Sequence, residues 1–302
     1  MTFSIGLDVG GTKIAGAVFS ADGDEIARVV EPTPADYPAF LSACVMIIAK
    51  LDKACGAEAS IGIGLPGAVA AKPDPLPTIA NIPCLSGTNL QADLQIKLGR
   101  PVRLANDADC AALSEATDGA GAGYASVFGL IMGTGVGGGF VAGGRLLQGA
   151  NGLTGEVGHL PLPYREESDG AVVSCSCGQS GCIDKSASGP ALVRLYKART
   201  GKVVQTSAQI GDLARQGDAE AVATLDAFYT IVAKAMLPVL HMFDPEIIVV
   251  GGGLSNLPSL YEAVPQRWGR FTMIRDPKTL FVPAKFGALT GLRGAAWLGR
   301  SS

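Results

Sequence analysis

Residues 3–20 read FSIGLDVGGTKIAGAVFS, and residues 127–145 read VFGLIMGTGVGGGFVAGGR. Each is an apolar run, a glycine turn and an apolar return. In the first, Ile5, Leu7 and Val9 alternate with smaller residues, as a half-buried strand does. Gly10-Gly11 makes the turn, Ile14 to Phe19 returns, and Asp22-Gly23 predicts the next hairpin turn. In the second, Gly133-Thr134-Gly135 makes the turn and Gly143-Gly144 the next one. Gly6, Leu7 and Gly10 align with Gly129, Leu130 and Gly133, an offset of 123 residues. Such a repeat predicts two related α/β lobes, each presenting a glycine hairpin to a shared ligand. Only Asp8 has no acidic counterpart, since Ile131 stands at its place. A carboxylate ending an apolar strand is costly unless it meets a cation or donors. Asp8 therefore predicts chemistry rather than folding. The N–H groups of Gly10, Gly11 and Thr12, with Lys13, compose an anion nest. The order differs from a Walker A loop, and either copy alone would also fit an ordinary hairpin.

The chain of 302 residues predicts one or two domains. With 48% hydrophobic and 17% charged residues it can bury a large core. Its 41 glycines exceed the usual share of about 7% and signal tight turns and close backbone approach to ligands. A net charge of −3 argues against a nucleic-acid surface, which needs a basic face. No apolar run is expected to reach the roughly 18 residues of a membrane span. Met1 leads almost at once into a strand, so no secretory signal is expected, and a cytoplasmic location follows.

Between the two copies, the spacing predicts a helix over 36–55 and a strand over 60–65 ending at Pro66-Gly67. AAKPDPLPTIANIP (70–83) is proline-rich and reads as loop. Its Asn81 suits either turn chemistry or a polar ligand. Thr88 predicts the cap of a helix running to Leu98. A strand over 100–104 runs into ANDADC. Ligands in open α/β sheets bind beyond the carboxyl ends of strands, which makes Asn106 and Asp107 the best candidates for chemistry. Capping of the helix over 108–116 is the competing role for Asp107. Later, Ser188-Gly189-Pro190 starts a helix to Ala198. A long helix over 219–243 is expected to bend at Pro238, with His241 structural. A strand over 246–250 ends in Gly251-Gly252-Gly253 before another helix, either a nucleotide approach or a plain turn. A last helix over 289–298 is expected on the first lobe.

The stretch 154–189, TGEVGHLPLPYREESDGAVVSCSCGQSGCIDKSASG, spaces His159, Cys175, Cys177 and Cys182 as His-x15-Cys-x-Cys-x4-Cys. Cys3His completes a tetrahedral structural zinc and leaves no position for water. Gly178 and Gly181 allow tight turns between the cysteines. Buried thiols or disulfides are the alternative. Glu156 and Asp184 flank the clip, which suggests a polar small-molecule pocket.

Together, DVGGTK (8–13), GLPG (64–67), AND (105–107), GTGVGGG (133–139), GEVGH (155–159), CSCGQSGC (175–182) and GGG (251–253) resemble the ROK family of sugar kinases and repressors. That family lies within the actin-like ATPase superfamily, and the resemblance spans nearly the whole chain. SGTNLQADL, ALSEA, GLTGEVGHLPLP and GGGLSNLP are most similar to its bacterial N-acetylglucosamine kinases. The resemblance implies a two-lobed α/β actin-like (ribonuclease H-like) ATPase fold with a zinc-stabilised loop. Its lobes would be 1–117 plus 288–302, and 118–287. It implies transfer from ATP to a sugar 6-hydroxyl, with N-acetyl-D-glucosamine as the first candidate. Glucose, fructose and N-acetylmannosamine kinases, and a weakened sugar sensor, are the alternatives. A repressor would carry a DNA-binding segment ahead of the first strand, which this sequence does not show.

By the same resemblance, Asp107 would be the base. Gly67, Asn81, Asn106, Glu156, His159 and Asp184 would hold the sugar. Phosphates and adenosine would meet Gly6, Asp8, Gly10, Gly11, Thr12, Lys13, Gly133, Thr134, Gly135, Val136, Gly137, Gly138, Gly139, Gly251, Gly252 and Gly253. Asp8 would orient Mg²⁺ through water, and the zinc would be structural. Partners would be the sugar and ATP, with homodimerisation left open. One departure stands out. The family usually carries Glu where this chain has Asp184, a carboxylate shorter by one methylene that puts the sugar preference in question.

Overall fold

The computed structural model describes residues 3–70, 75–77, 79 and 81–300. Part of the proline-rich stretch expected to be loop, residues 71–74, 78 and 80, therefore lies outside the described residues. In chain order the strands are β1 (Ser4–Val9), β2 (Lys13–Phe19), β3 (Glu25–Pro32), β4 (Ser60–Leu65), β5 (Val102–Asn106), β6 (Ser126–Met132), β7 (Val136–Ala142), β8 (Arg145–Leu146), β9 (Ile247–Gly251) and β10 (Leu280–Pro283). The helices are α1 (Tyr37–Cys55), α2 (Leu90–Leu98), α3 (Asp107–Thr117), α4 (Ile183–Ser186), α5 (Gly189–Thr200), α6 (Ser207–Arg215), α7 (Ala219–Ala235), α8 (Leu237–Met242), α9 (Leu260–Ala263), α10 (Pro265–Trp268) and α11 (Thr290–Arg300). They form two five-stranded sheets, ordered β3-β2-β1-β4-β5 and β10-β9-β6-β7-β8. Internal contacts divide the chain into Met1–Gly123, Gly139–Thr154 and Ala288–Ser302 as one unit, and Tyr124–Gly138 with Gly155–Gly287 as the other. The division falls inside β7, so Gly139–Thr154 belongs with the first unit.

In the first unit β1 pairs antiparallel with β2 and parallel with β4, and β4 pairs parallel with β5. Helix α1 starts where Asp36 accepts from the Ala39 N–H at 2.9 Å, and it stops at Gly56 with φ 70°. Phe40, Leu41, Cys44, Ile47, Ile48 and Leu51 form its buried stripe, at the spacing that the sequence shows. Helix α11 packs on β1, β4 and α3 with almost no side-chain layer between. A Cβ on Gly6 would overlap Leu292 O, one on Gly62 would overlap Ala295 O, and one on Gly294 would overlap Cys110 O. Asp118 then takes Arg293 and the Trp297 indole N–H, which locks α11 to the end of α3.

In the second unit β6 and β10 flank β9, both parallel to it. Lys234 on α7 is buried and pairs with Asp169 at 3.0 Å and with Glu166 at 3.2 Å. That pair anchors the segment between His159 and Cys175 to the helical layer.

Several boundaries differ from expectation for local reasons. Proline at 101 has no N–H for the ladder, so β5 begins at Val102 instead of residue 100. Thr88 does not cap α2: Asn89 precedes the helix, and the Thr88 hydroxyl donates to Leu85 O at 2.7 Å. Pro238 breaks the expected 219–243 helix into α7 and α8, since it cannot donate into the first turn it would continue. Gly253 opens a single 3-10 turn, Gly253–Asn256, where a longer helix was expected. The stretch Ala219–Met242 is long and apolar enough to cross a membrane by length and composition, contrary to expectation. Most of it is buried inside the structure, as a core helix is.

Candidate active site

The parallel register sets the first group of residues. Asp8 lies beside Gly64, and Gly64 lies beside Ala105, so Asp8 and the Asn106-Asp107 pair leave the sheet at the same edge. Asn106 is buried and does two jobs. Its Oδ1 accepts from the Ala108 N–H at 2.7 Å and caps α3, while its Nδ2 donates to Gly67 O at 2.8 Å. Gly67 has φ 90°, a conformation that a side chain would strain. Asp107, the first residue of α3, is exposed, and its Oδ1 also accepts from the Ala108 N–H at 2.8 Å. Capping is thus shared, with Asn106 as the cap residue proper.

Burial raises the pKa of Asp8, and the charge of Lys13 works against that rise. Beneath lies Cys110, fully buried, whose thiol is pushed well up by burial and then by the charges of Asp109, Asp107 and Asp8. The base candidate and the cation-side acid therefore both act on one buried sulfur. The β1–β2 turn is stitched from outside by Thr33, whose hydroxyl donates to Gly10 O at 2.7 Å and whose N–H donates to Thr12 O at 3.1 Å. Backbone of Asn81 sits over the same turn, since a Cβ on Gly11 would come within 2.8 Å of Asn81 O. Gln148 donates to Leu104 O at 3.0 Å, next to the Asn106 end of β5. Neither Thr33 nor Gln148 belongs to a motif, so the sequence gives no signal for them.

The second unit carries the other group. The β6–β7 turn closes by Gly133 N–H to Gly135 O at 2.9 Å. Gly189, at the start of α5, donates to Gly133 O at 2.8 Å. A cavity of about 590 Å³ opens beside this turn, lined by Gly133, Thr134, Gly189, Arg194, Thr206 and Gly253 among others. Gly253 reaches it from beyond the end of β9. Arg194, Gln205, Thr206 and Ser207 were not expected there. Thr206 is legible only as a helix cap: its hydroxyl and the Gln209 side chain make a capping box at α6.

Three glycines assigned to phosphate binding are packed tightly against neighbouring groups. Gly6 lies inside β1 against the α11 backbone. A Cβ on Gly138 would strike the Phe128 ring, and one on Gly139 would strike Ala112 and the backbone of Asp109. Gly251 is likewise buried, against Ile131.

His159, Cys175, Cys177 and Cys182 offer ligand atoms that all lie within 4.8 Å of one another. Cys177 Sγ and Cys182 Sγ are 3.7 Å apart, and His159 Nδ1 is 3.5 Å from Cys175 Sγ. A tetrahedral zinc with bonds of about 2.3 Å to sulfur and 2.0–2.1 Å to nitrogen has edges of about 3.8 and 3.5 Å. The fit is good. Crowding also shows in the thiols: burial, then Cys177 and Cys175, pushes Cys182 up to about 12, a proton that a dication would replace. With Nδ1 aimed at the sulfurs, His159 Nε2 stands 3.8 Å from Glu156 Oε2. Burial raises the pKa of Glu156, and His159 opposes that rise. Asp184 is buried, with Oδ1 accepting from the Val136 N–H at 2.8 Å and Oδ2 paired with Lys185 Nζ at 2.8 Å.

The sequence pattern of the ROK family matches residues 4–302. The N-acetyl-D-glucosamine kinase of Yersinia enterocolitica is 38% identical over 298 residues, covering 97% of this chain and 98% of that protein. The crystal structure of a ROK hexokinase from Thermus thermophilus superposes with a TM-score of 0.84 at 32% identity, over 98% of this chain and 97% of the other. A ROK family glucokinase from Streptomyces griseus, in complex with glucose and AMPPNP, gives 0.76 at 31% identity, over 99% of this chain and 100% of the other.

Proposed function

The chain belongs to the ROK family, and from that premise we propose that it transfers the terminal phosphoryl group of ATP to the 6-hydroxyl of N-acetyl-D-glucosamine. It is a sugar phosphotransferase on the α/β actin-like ATPase fold. The observation that carries the reading is the Asn106-Asp107 pair: one residue caps α3 and holds Gly67, which leaves the exposed carboxylate of its neighbour at the sheet's carboxyl edge. There Asp107 takes the proton of the 6-hydroxyl as the new O–P bond forms and the bond to ADP breaks. A positioned carboxylate base contributes about 10²–10⁴-fold. Asn81, Asn106, Glu156 and His159 hold the hydroxyls of the ring, with Gly67 backbone beside them. The nucleotide lies in the cavity beside Gly133 and Thr134, with Gly253 at its border and Gly252 next in the chain. Its phosphates meet the N–H groups of Gly10 to Thr12 and of Gly133 to Gly137, and Lys13. Mg²⁺, when bound, would neutralise charge on the phosphoryl oxygens, and Asp8 would be the residue that holds it. His159, Cys175, Cys177 and Cys182 would hold a zinc ion, which would fix the histidine tautomer and leave Nε2–H as a donor.

The experiment is ADP release by the purified protein with ATP and a panel of N-acetylglucosamine, N-acetylmannosamine, glucose and fructose. N-acetylglucosamine is expected to give the highest kcat/KM. Rates with every sugar equal to the sugar-free rate would overturn the reading.

A further inference from the structure

Asp184 is held by groups of its own chain. It is buried, and both of its oxygens are already engaged: Oδ1 by the Val136 N–H at 2.8 Å, and Oδ2 by Lys185 Nζ at 2.8 Å. The N–H it holds belongs to the β6–β7 turn. Its short internal bond runs from Gly133 N–H to Gly135 O, and Gly189 reaches in to Gly133 O. Gly135 lies so close to Asp184 that a Cβ there would come within 2.5 Å of Oδ1. Backbone of Gly158, in the turn that carries His159, lies against Val136 O with no space for a side chain. Gly133 and Thr134 of the same turn line the 590 Å³ cavity. Asp184 itself sits in α4, which starts directly after the metal-ligand candidate Cys182.

We propose that Asp184 is a positioning residue for the nucleotide rather than a ligand of the sugar: its carboxylate fixes the Thr134–Val136 turn, and through α4 it links the Cys/His cluster to nucleotide affinity. The proposal rests on the kinase reading for its substrates, but not for its readout. A charged acceptor held on a backbone N–H in a buried setting is stronger than a neutral one, and its loss leaves the Val136 N–H unsatisfied. The side-chain length matters in the same sense. Asp reaches the turn from α4 at hydrogen-bond distance, whereas one more methylene would shift the carboxylate from the Val136 N–H that it now holds.

The test uses Asp184→Ala, Asp184→Asn and Asp184→Glu in the full-length protein. Binding of AMPPNP and of N-acetylglucosamine is measured separately by calorimetry, zinc content by metal analysis, and KM for each substrate where turnover exists. In Asp184→Ala the AMPPNP dissociation constant and the ATP KM are expected to rise about tenfold or more, with sugar affinity within about twofold, since a hydrogen bond to a charged group contributes about 1.5–3 kcal/mol. Asp184→Asn keeps an acceptor for the Val136 N–H and is expected to fall between Ala and wild type, with zinc content unchanged. This variant keeps the proposal testable where Asp184→Ala does not fold. Asp184→Glu is expected to weaken AMPPNP rather than improve sugar binding. Weakened sugar binding with AMPPNP unchanged, in Ala or in Asn, would overturn the proposal. AMPPNP binding reads the turn whether or not wild type shows sugar-dependent turnover, so the two readings fail separately.

Discussion

At the scale of single residues, Glu156 makes the clearest pH forecast. Its pKa is raised by burial, with His159 opposing, so it stays protonated to a higher pH than an ordinary carboxylate. As the proposed acceptor for a sugar hydroxyl it would serve in its ionised form. Sugar KM is therefore expected to rise as pH falls through a midpoint above the ordinary 4.5, and Glu156→Gln is expected to show a high, flat KM over that range. Steady-state kinetics from pH 4.5 to 8 checks this, and a flat wild-type profile would count against the assignment. The sequence draws attention to this stretch because histidines are scarce: GEVGH contains one of the two in the chain. What the sequence could not convey is direction. Asp184 stands in a motif that suggests a sugar ligand, yet only coordinates reveal that its oxygens face Val136 and Lys185. Gly6, Gly138 and Gly139 carry the same lesson, because a glycine that admits a ligand and one that admits a neighbouring helix or ring read alike.

At the scale of elements, the Cys/His loop decides how Glu156 and His159 are presented. The four ligand atoms are already gathered, and α4 follows Cys182 at once. Metal analysis is expected to find about one zinc per chain, as a closed four-ligand site requires. Removing it with a chelator, or replacing Cys177 with Ser, is expected to raise sugar KM and lower the melting temperature. A zinc-free protein with wild-type KM and melting would contradict the clip. A second forecast concerns α11. A Cβ on Gly294 would meet Cys110 backbone, which cannot move without displacing α3. Gly294→Ala is expected to cost at least about 1–3 kcal/mol, read by chemical denaturation. Long periodic elements such as α1 were readable from their apolar spacing alone. Short ones were not: β10 spans Leu280–Pro283 and α4 spans Ile183–Ser186, too few residues for any period to show. Helix breaks followed a rule visible in sequence, yet Pro238 ended α7 instead of bending it.

At the scale of the whole molecule, the two glycine hairpins were the decisive sign. Each became a pair of strands around a turn, β1–β2 in one sheet and β6–β7 in the other. Fold and family followed from that repeat and its attached motifs, because both depend on order along the chain. The cavity beside Gly133 was only half legible. Its glycines stood in motifs, while Arg194, Gln205, Thr206 and Ser207 come from α5 and the approach to α6, where chain order announces nothing. The first unit carries Asp107, and the second carries the cavity beside Gly133. Turnover with ATP and N-acetylglucosamine, measured side by side for wild type and Asp107→Asn, tests the central claim most directly. The expected result is sugar-dependent ADP release by wild type and a fall in kcat of about 10²–10⁴-fold in the variant, with calorimetric sugar and AMPPNP binding retained. A variant that turns over within a few-fold of wild type would contradict it.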